Sequence, residues 1–428
     1  MMPQRVLPFK LEMTQDKITP HAGLAVFGEF VHAMNIPGVI NTELPKPGSP
    51  RGYAPAKFIE PLLLMLHGGG RSLEDLRKIR MDVGLCQILK IDTMPSSDAT
   101  GSWLRRMGEG KGLGGMQKVN STILRRALNR NDRSKYTLDI DASQIVAEKY
   151  DAHFTYKGER GYMPMVGHLA ENGLVIGDEF REGNEAPASR NLEFIKHCCA
   201  QMPKSKKIVS LRADSATYQA EVFNWCERKG ITFAIGGQLD NATKKAINLI
   251  DEDEWEEYGG KKIAETIHCM EKTKKSFRLI ILRRPIQQTI IETEQVEEAV
   301  RYTVIATNRE ESASEVAKWY NKRGDTSENR IKDLKIGFGM ERMPCGTFEA
   351  NSVFFRIGVM AYNLFVLFKI MALPSSLRKC QIQTVRWLLY QTAGKIVKHA
   401  GALYLKVSNE MLGVLGEIRA KNYEVLVM

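Results

Sequence analysis

Apolar and polar residues alternate strictly along the segment 136–143. The polar positions are Thr137, Asp139, Asp141 and Ser143. A period of two places successive side chains on opposite faces of an extended chain. The pattern therefore predicts a β-strand with one apolar and one polar face, and the polar face carries two carboxylates.

The segments after this strand alternate between strand and helix patterns. Two strand-like runs, 163–170 and 174–180, flank Glu171-Asn-Gly173, which favours a hairpin turn. The order then continues with a helix over 190–201, a strand over 207–214, a helix from Ser215 to Arg228 and a strand over 231–235. It predicts an α/β fold in which an RNase H-like mixed sheet is flanked by helices.

The N-terminal part of the chain has a helical pattern interrupted by proline and glycine. One helix is predicted over 22–34, ending before Pro37, and another from Pro55 to Leu66. Ser72 and Asp75 have the spacing of a capping box at the start of the next helix. Short helices joined by tight turns and followed by basic residues fit a helix-turn-helix-like DNA-binding unit.

A chain of 428 residues is too long for one ordinary core. After the predicted sheet come a β-rich stretch, a helix from Ser314 through Leu334, another from Phe354 to Met371, a basic helical region from Gln381, and short extended segments at the end. The pattern divides the chain into a helical N-terminal region at 1–133, which is the candidate DNA-binding region, the first part of the RNase H-like core at 134–235, a β-rich insertion at 236–308, a core helix at 309–345, and a basic helical C-terminal region at 346–428.

Positive charge dominates the chain and is unevenly distributed. The net charge is +11, and the segment 105–135 carries nine basic residues against two acidic ones. The segment 350–409 has eight basic residues and no acidic residue. This balance favours a polyanionic partner, with nucleic acid first. Ordinary solvated helix faces are the alternative. The candidate DNA contacts are Arg105, Arg106, Arg125 and Arg126.

Other classes of protein are disfavoured by the sequence. None of the seven cysteines belongs to a Cys-x-x-Cys pair with matching ligands, which argues against a structural zinc site. The N-terminus lacks the apolar core of an export signal, and the odd cysteine count fits reduced thiols. The most apolar run, 357–368, is shorter than the roughly twenty residues that span a bilayer. We therefore expect a cytoplasmic protein.

Two carboxylates end strands of the predicted sheet. Asp141 lies in the first strand, and Asp214 ends a later one. Acids are costly inside apolar strands unless a positive group meets them. Phosphodiester chemistry is supported by two divalent ions that lie about 4 Å from each other and are held by carboxylates. Magnesium prefers such hard oxygen ligands. Solvent-exposed strand ends are the alternative interpretation.

A third acid lies in the charged helix predicted over 319–335. Glu328 and Lys335 are seven residues apart and share a helical face. An ordinary amphipathic helix gives the same pattern, so the spacing alone does not establish a site.

These residues resemble a known family. Tyr320, Arg323, Glu328 and Lys335 are similar to the Tyr-x2-Arg-x3-Glu-x6-Lys signature of bacterial insertion-sequence DDE transposases, and 138–143 and 212–215 are similar to the strands that carry the two aspartates. Further motifs resemble the thirteen-eighty group of these elements, namely Arg51-Gly-Tyr, Gly68-Gly-Gly, Pro95-Ser-Ser, Gly183-Asn184 and Ala361-Tyr-Asn-Leu364. The resemblance extends over nearly the whole chain.

The resemblance implies a function. The chain would cleave and join DNA at terminal inverted repeats by cut-and-paste movement through hairpin intermediates, as a homodimer on paired ends. Two Mg²⁺ ions, with Mn²⁺ as a substitute, would be held by Asp141, Asp214 and Glu328. Tyr320, Arg323 and Lys335 would contact DNA. Trp255, in the insertion, would stack on a flipped base, although an ordinary surface or core role is an equal alternative.

Two departures from the family pattern leave alternatives open. Arg323 and Glu328 are separated by four residues instead of three, which predicts a π-bulge or a break over 324–327. Asp325 is the alternative third ligand, and Asp139 is the alternative to Asp141. A nuclease that cuts without rejoining and an inactive DNA-binding derivative are the competing functions.

Overall fold

The computed structural model describes residues 9–289, 296–324 and 329–427. The chain divides into two compact units. The first comprises Met1–Asn41, Lys46–Thr100 and Phe368–Met428, and the second Thr42–Pro45 and Gly101–Leu367. The five segments proposed from the sequence remain a prediction.

The described chain contains fifteen α-helices and fifteen β-strands. The helices are α1 Ala22–Ala33, α2 Ile36–Glu43, α3 Pro55–Gly68, α4 Leu76–Met81, α5 Val83–Ile88, α6 Ser97–Glu109, α7 Gly112–Leu128, α8 Asn191–Ala200, α9 Ala220–Lys229, α10 Asn241–Asn248, α11 Ala313–Arg323, α12 Asn329–Lys332, α13 Phe348–Met371, α14 Ile382–Val385 and α15 Asn409–Val427. The strands are β1 Lys17–Thr19, β2 Lys135–Ala142, β3 Ile145–Val146, β4 His153–Phe154, β5 Arg160–Tyr162, β6 Met165–Leu169, β7 Val175–Glu179, β8 Lys207–Ala213, β9 Thr232–Gly236, β10 Glu256–Tyr258, β11 Lys261–His268, β12 Phe277–Thr289, β13 Val296–Thr307, β14 Gly394–His399 and β15 Ala402–Lys406.

The second unit is built on a nine-stranded mixed sheet in the order β10-β11-β12-β13-β9-β8-β2-β6-β7. Strand β2 pairs in parallel with β8, which pairs in parallel with β9, while β6 and β7 form an antiparallel hairpin on its other side. The predicted hairpin turn ends at Gly173, whose φ of 81° suits glycine. The mixed sheet with flanking helices confirms the predicted RNase H-like fold class.

The predicted β-rich insertion is continuous with this sheet. Strand β13 pairs antiparallel with β9 through Ala234, Ile235 and Gly236, and β12, β11 and β10 follow outward. Apolar residues from β9, β11, β12, β13 and α11 form one buried cluster. Burial of this shared cluster joins the insertion to the core.

The first unit packs short helices around buried aromatic rings. Phe27 stacks on His67 with 3.5 Å between ring centroids, and Phe368 and Tyr390 complete the cluster. Helix α3 ends at Gly69, whose φ is 101°. The prediction that a helix ends before Pro37 was correct, but Pro37 then lies in the first turn of α2, where proline is favoured.

The C-terminal region differs from its prediction. It contains the hairpin of β14 and β15, which joins β1 in a three-stranded sheet, and it ends in the 19-residue helix α15 instead of extended segments. Buried Leu415, Ile418, Asn422 and Val425 form the stripe of α15 that is turned inward. Their spacing of three, four and three residues is that of one helical face.

Helix α13 is longer than the apolar run suggested. It extends over 24 residues, and by length and composition alone it could cross a membrane. In the protein, 83% of its most apolar window is buried. The twelve-residue run 357–368 is the central part of this longer helix, and its interpretation as a buried helix is confirmed.

Candidate active site

Asp141 and Asp214 lie at the carboxyl ends of neighbouring parallel strands. Asp139 in β2 is the register partner of Arg212 in β8, so Asp141 and Asp214 each stand two residues further along their strands. Because side chains two apart share a face, all four point to the same side of the sheet. Open α/β sheets bind ligands at this end of their strands.

Asp139 and Arg212 form a buried ion pair beneath this site. The Arg212 Nε and Nη2 atoms donate to the two Asp139 oxygens at 2.7 Å each, and both side chains are almost fully buried. Arg212 also donates to the Trp319 carbonyl at 2.8 Å and lies over the Trp319 ring. The predicted polar face of β2 is therefore buried at Asp139, and both oxygens of its carboxylate accept hydrogen bonds from Arg212.

Asp141 is more open and has a different partner. Its side chain is 27% exposed, and Arg323 Nη2 donates to its Oδ1 at 2.6 Å. Burial, and to a smaller extent the charge of Asp214, raise the pKa of Asp141 to about 6, although Arg323 opposes this. Burial and the second carboxylate destabilise the ionised form of Asp141. A cation bound beside it would stabilise that form.

Asp214 begins the segment that follows β8. Its side chain accepts a hydrogen bond from the Ala216 N–H at 3.1 Å and caps a 3₁₀ turn over Ser215–Thr217. The prediction that Ser215 caps a continuous helix was wrong, because α9 begins only at Ala220. The cap fixes the start of this loop at the end of the sheet.

Tyr320 and Gly236 close the side of the site formed by β9. A Cβ atom on Gly236 would lie 3.0 Å from the Tyr320 hydroxyl and 3.0 Å from the Ser215 nitrogen. Glycine therefore leaves the space that the tyrosine occupies. Burial raises the pKa of Tyr320, and the charges of Asp214 and Asp141 add to this effect. Tyr320 is thus a neutral hydroxyl beside both carboxylates.

An open pocket of about 580 Å³ adjoins Asp141. Arg323, Lys335 and Glu341 are among its lining residues. The Lys335 Nζ atom donates to the Gln144 carbonyl at 2.9 Å, and burial lowers its pKa. Tyr320, Arg323 and Lys335 of the sequence signature therefore gather around the two aspartates.

The third predicted acid cannot be placed. Glu328 and the alternative Asp325 lie outside the described residues, as does most of the segment 324–327 where a bulge or break is predicted. The flanking chain is not one α-helix, since α11 ends at Arg323 and a π-helical turn follows α12 over Asp333–Gly337. Helical conformation is thus present over Ala313–Arg323 and from Asn329 through Leu334, as predicted for these described residues.

The site can be compared with what a divalent metal requires. Asp141 and Asp214 supply hard oxygen donors from two separate elements, as magnesium sites commonly use. Within residues 9–289, 296–324 and 329–427, no group of three or more His, Cys, Asp or Glu side chains is arranged for metal binding. The described residues thus fit part of a carboxylate metal site.

The other predicted DNA contacts lie apart from this pocket. Arg105 and Arg106 are exposed on α6, and on α7 Arg125 is exposed and Arg126 is half-buried. Trp255 is only 8% exposed, and the guanidinium of Arg283 lies 4.1 Å from its ring centroid. Arg283 occupies a face of the ring that a base would need.

Reasoning from sequence missed Arg212, Gly236 and Glu341. A signal for Arg212 was present, because it precedes Asp214 by two residues just as Asp139 precedes Asp141. Because β2 and β8 are parallel, this common offset places Arg212 beside Asp139 and, two residues further along, Asp214 beside Asp141. Gly236 and Glu341 had no comparable signal.

Comparisons with known proteins identify the family of the chain. No curated protein matches the chain. The cryo-EM structure of the piggyBac transposase synaptic complex with hairpin DNA contains a chain that is 11% identical, with a TM-score of 0.46, over 88% of this chain and 82% of that one. A family described as transposase DDE domain group 1 matches residues 5–414. The chain therefore belongs to this family of DDE transposases.

Proposed function

We propose that the protein is a cut-and-paste transposase of the thirteen-eighty insertion-sequence group, which cleaves DNA at terminal inverted repeats and joins the ends to a target. The observation that carries the proposal is the placement of Asp141 and Asp214 at the ends of adjacent parallel strands, facing the same side. Homodimerisation on paired ends and a cytoplasmic location in a bacterial cell belong to the same proposal.

Asp141, Asp214 and Glu328 would hold two Mg²⁺ ions, for which Mn²⁺ would substitute. When bound, the ions supply positive charge that activates the attacking oxygen and stabilises the leaving oxygen. Asp141 is preferred to Asp139 because Asp139 is enclosed in its bidentate contact with Arg212. Glu328 is preferred to Asp325 because of its seven-residue step to Lys335.

The basic residues of the site would orient the DNA strand. Arg323 holds the Asp141 carboxylate from one side, and its position in the pocket lets it contact a phosphate oxygen next to the reacting bond. Lys335 is held against the Gln144 carbonyl in the same pocket. Charge-assisted hydrogen bonds from such groups fix the register of a phosphate backbone.

For Trp255 we propose the base-stacking role implied by the family resemblance. A flipped base would take the position over the ring that Arg283 occupies. Stacking of this kind contributes about 1–3 kcal/mol per base. Trp255→Ala should then slow hairpin formation on a nicked duplex and leave the first nick unchanged. Equal rates of hairpin formation would exclude the role.

The decisive experiment uses the DNA that flanks the gene. Purified protein is incubated with Mg²⁺ and labelled duplexes that carry the candidate inverted repeats, and nicked, hairpin and joined products are resolved on denaturing gels. Asp214→Asn should abolish all three products and retain DNA binding, whereas the exposed Asp253→Asn serves as the matched control. Cleavage by Asp214→Asn at the wild-type rate would refute the assignment.

The same gels separate the competing functions. Joined products support a transposase, cleavage without joining indicates a nuclease, and binding without cleavage indicates an inactive derivative.

A further inference from the structure

The amino ends of the parallel strands carry an unusual concentration of positive charge. Lys135 and Lys207 begin β2 and β8, are register partners, and are both exposed. Like charges on adjacent strands repel each other and destabilise the pair. Lys135 and Lys207 thus form a repulsive pair at the amino ends of these two strands.

Neighbouring segments extend this charge. The segments 118–135 and 204–207 contain one acid, Asp132, and nine basic residues, which are Lys118, Arg125, Arg126, Arg130, Arg133, Lys135, Lys204, Lys206 and Lys207. Lys206 donates a hydrogen bond to the Asn131 carbonyl, which ties the two segments together. We call the surface formed by these nine residues the basic end.

The basic end contains an open cleft of about 850 Å³. Lys118, Arg125 and Lys204 line it, together with the end of α8 and the loop that precedes β8. Glu43 is the acid in its lining, and it pairs with Lys118 at 3.5 Å. The cleft therefore keeps a positive lining after this pair is counted.

A purely structural explanation covers only part of this surface. Arg125 and Arg126 lie in the last turn of α7, where cations offset the negative end of the helix dipole. Burial and the nearby charge of Arg130 lower the pKa of Arg126, so the cluster also repels itself. Lys135 and Lys207 lie in strands, where no helix dipole explains them.

The basic end is separate from the active site. Lys135 and Asp141 are six residues apart in one extended strand, which corresponds to about 20 Å. That distance equals the rise of roughly six base pairs of duplex DNA. The two surfaces therefore cannot contact the same phosphate.

We propose that the basic end is a second DNA-binding surface, which holds the phosphate backbone of duplex DNA about 20 Å from the bond that is cut. The identification of the ligand as duplex DNA rests on the proposed function. The position of the binding surface rests on the charged residues of the basic end. The polyanion neutralises the repulsion between the strand ends, and the open cleft admits a backbone without requiring a specific base sequence.

The test measures how binding depends on salt. Fluorescence anisotropy follows a labelled duplex of about 40 base pairs and arbitrary sequence between about 50 and 200 mM salt. The test variant combines Arg125→Ala, Lys204→Ala and Lys207→Ala. None of these three residues forms an ion pair within the part of the chain that the structure describes. Loss of three phosphate contacts should reduce the slope of log K against log salt by about 2.7.

A matched variant removes the same net charge from paired lysines. Lys262, Lys275 and Lys421 contact Glu252, Glu227 and Glu417, respectively. Their replacement by alanine should leave the slope nearly unchanged. An unchanged slope in the test variant, or equal flattening in both variants, would overturn the proposal. Should the triple variant unfold, the exposed single change Lys204→Glu must still flatten the slope.

Cleavage assays distinguish this proposal from the proposed function. At low salt and saturating protein, the paired-lysine variant should cut at the wild-type rate, because it changes neither the basic end nor Asp141 and Asp214. If Asp214→Asn still cuts DNA, the catalytic assignment fails while the salt result stands. If the slope is unchanged while Asp214→Asn is inactive, the basic end alone is refuted.

Discussion

Asp139 and Asp141 are two residues apart, yet their replacement by asparagine should have opposite consequences. Asp139→Asn removes the charge that neutralises Arg212, whose guanidinium remains buried beside Trp319. Asparagine offers one acceptor oxygen where the carboxylate accepted two hydrogen bonds. Removing one partner from a buried ion pair costs about 3–5 kcal/mol. We expect a loss of this size in the free energy of unfolding.

Asp141→Asn should leave the metal-free protein at least as stable as wild type. Burial and Asp214 raise the pKa of Asp141 to about 6, so at neutral pH the carboxyl is ionised in the folded protein at a cost in stability. Asparagine removes the repulsion with Asp214 and still accepts a hydrogen bond from Arg323. The catalytic consequence is the reverse of the stability consequence, because the variant should no longer cleave DNA in Mg²⁺.

Urea unfolding at pH 7 in the presence of a chelator, followed by circular dichroism, compares wild type with both variants. Cleavage is measured on the same preparations. The reasoning is refuted if Asp141→Asn is the less stable variant. If Asp139→Asn is as stable as wild type and inactive, Asp139 is the metal ligand and Arg212 its companion in catalysis.

Three further predictions concern stability, each measured by thermal or urea unfolding. Burial raises the pKa of Asp82, but hydrogen bonds from His21, Thr19 and the Leu85 N–H outweigh burial and lower it. Wild type should therefore be more stable than Asp82→Asn above about pH 4, the ordinary pKa of an aspartate. The difference in stability should shrink as the pH falls below this value. A difference that does not change with pH would contradict the prediction. Asn363→Ala should lower the free energy of unfolding by about 3 kcal/mol, because the Val175 N–H and carbonyl both lose their hydrogen bonds to the Asn363 amide. A loss below about 1 kcal/mol would mean that water takes the place of the amide. Gly69→Ala should cost about 1–2 kcal/mol because φ is 101°, whereas Gly68→Ala, inside the helix, should not destabilise.

The core sheet was predictable because its strands and turns are local patterns. The alternation over 136–143 gives β2, and the Glu171-Asn-Gly173 turn gives the hairpin of β6 and β7. The burial of Asp139 was not predictable in this way. It depends on Arg212, which lies 73 residues away and meets Asp139 only through the parallel register.

The C-terminal helix shows a different limit. Gly413 and Gly416 weaken the helix propensity of α15, so its sequence suggested extended chain. Burial of Leu415 and Ile418, both less than 5% exposed, compensates for the glycines. Tertiary packing of this kind overrides local preference. Tyr320, Arg323 and Lys335 of the family signature lie near the aspartates, while their roles stay a prediction and Glu328 lies outside the described residues.

The pairing of β13 with β9 also determines where the sheet ends. Without the insertion, the exposed border would be β9, whose residues 233–236 are buried. An open apolar border of this kind recruits strands from other molecules and promotes aggregation. With the insertion, the sheet ends instead on β10, a three-residue strand with exposed Glu256 and Glu257. We therefore expect strands β10 to β13 to protect the fold against self-association. A shortened chain that lacks them should precipitate even where Asp141 and Asp214 are intact.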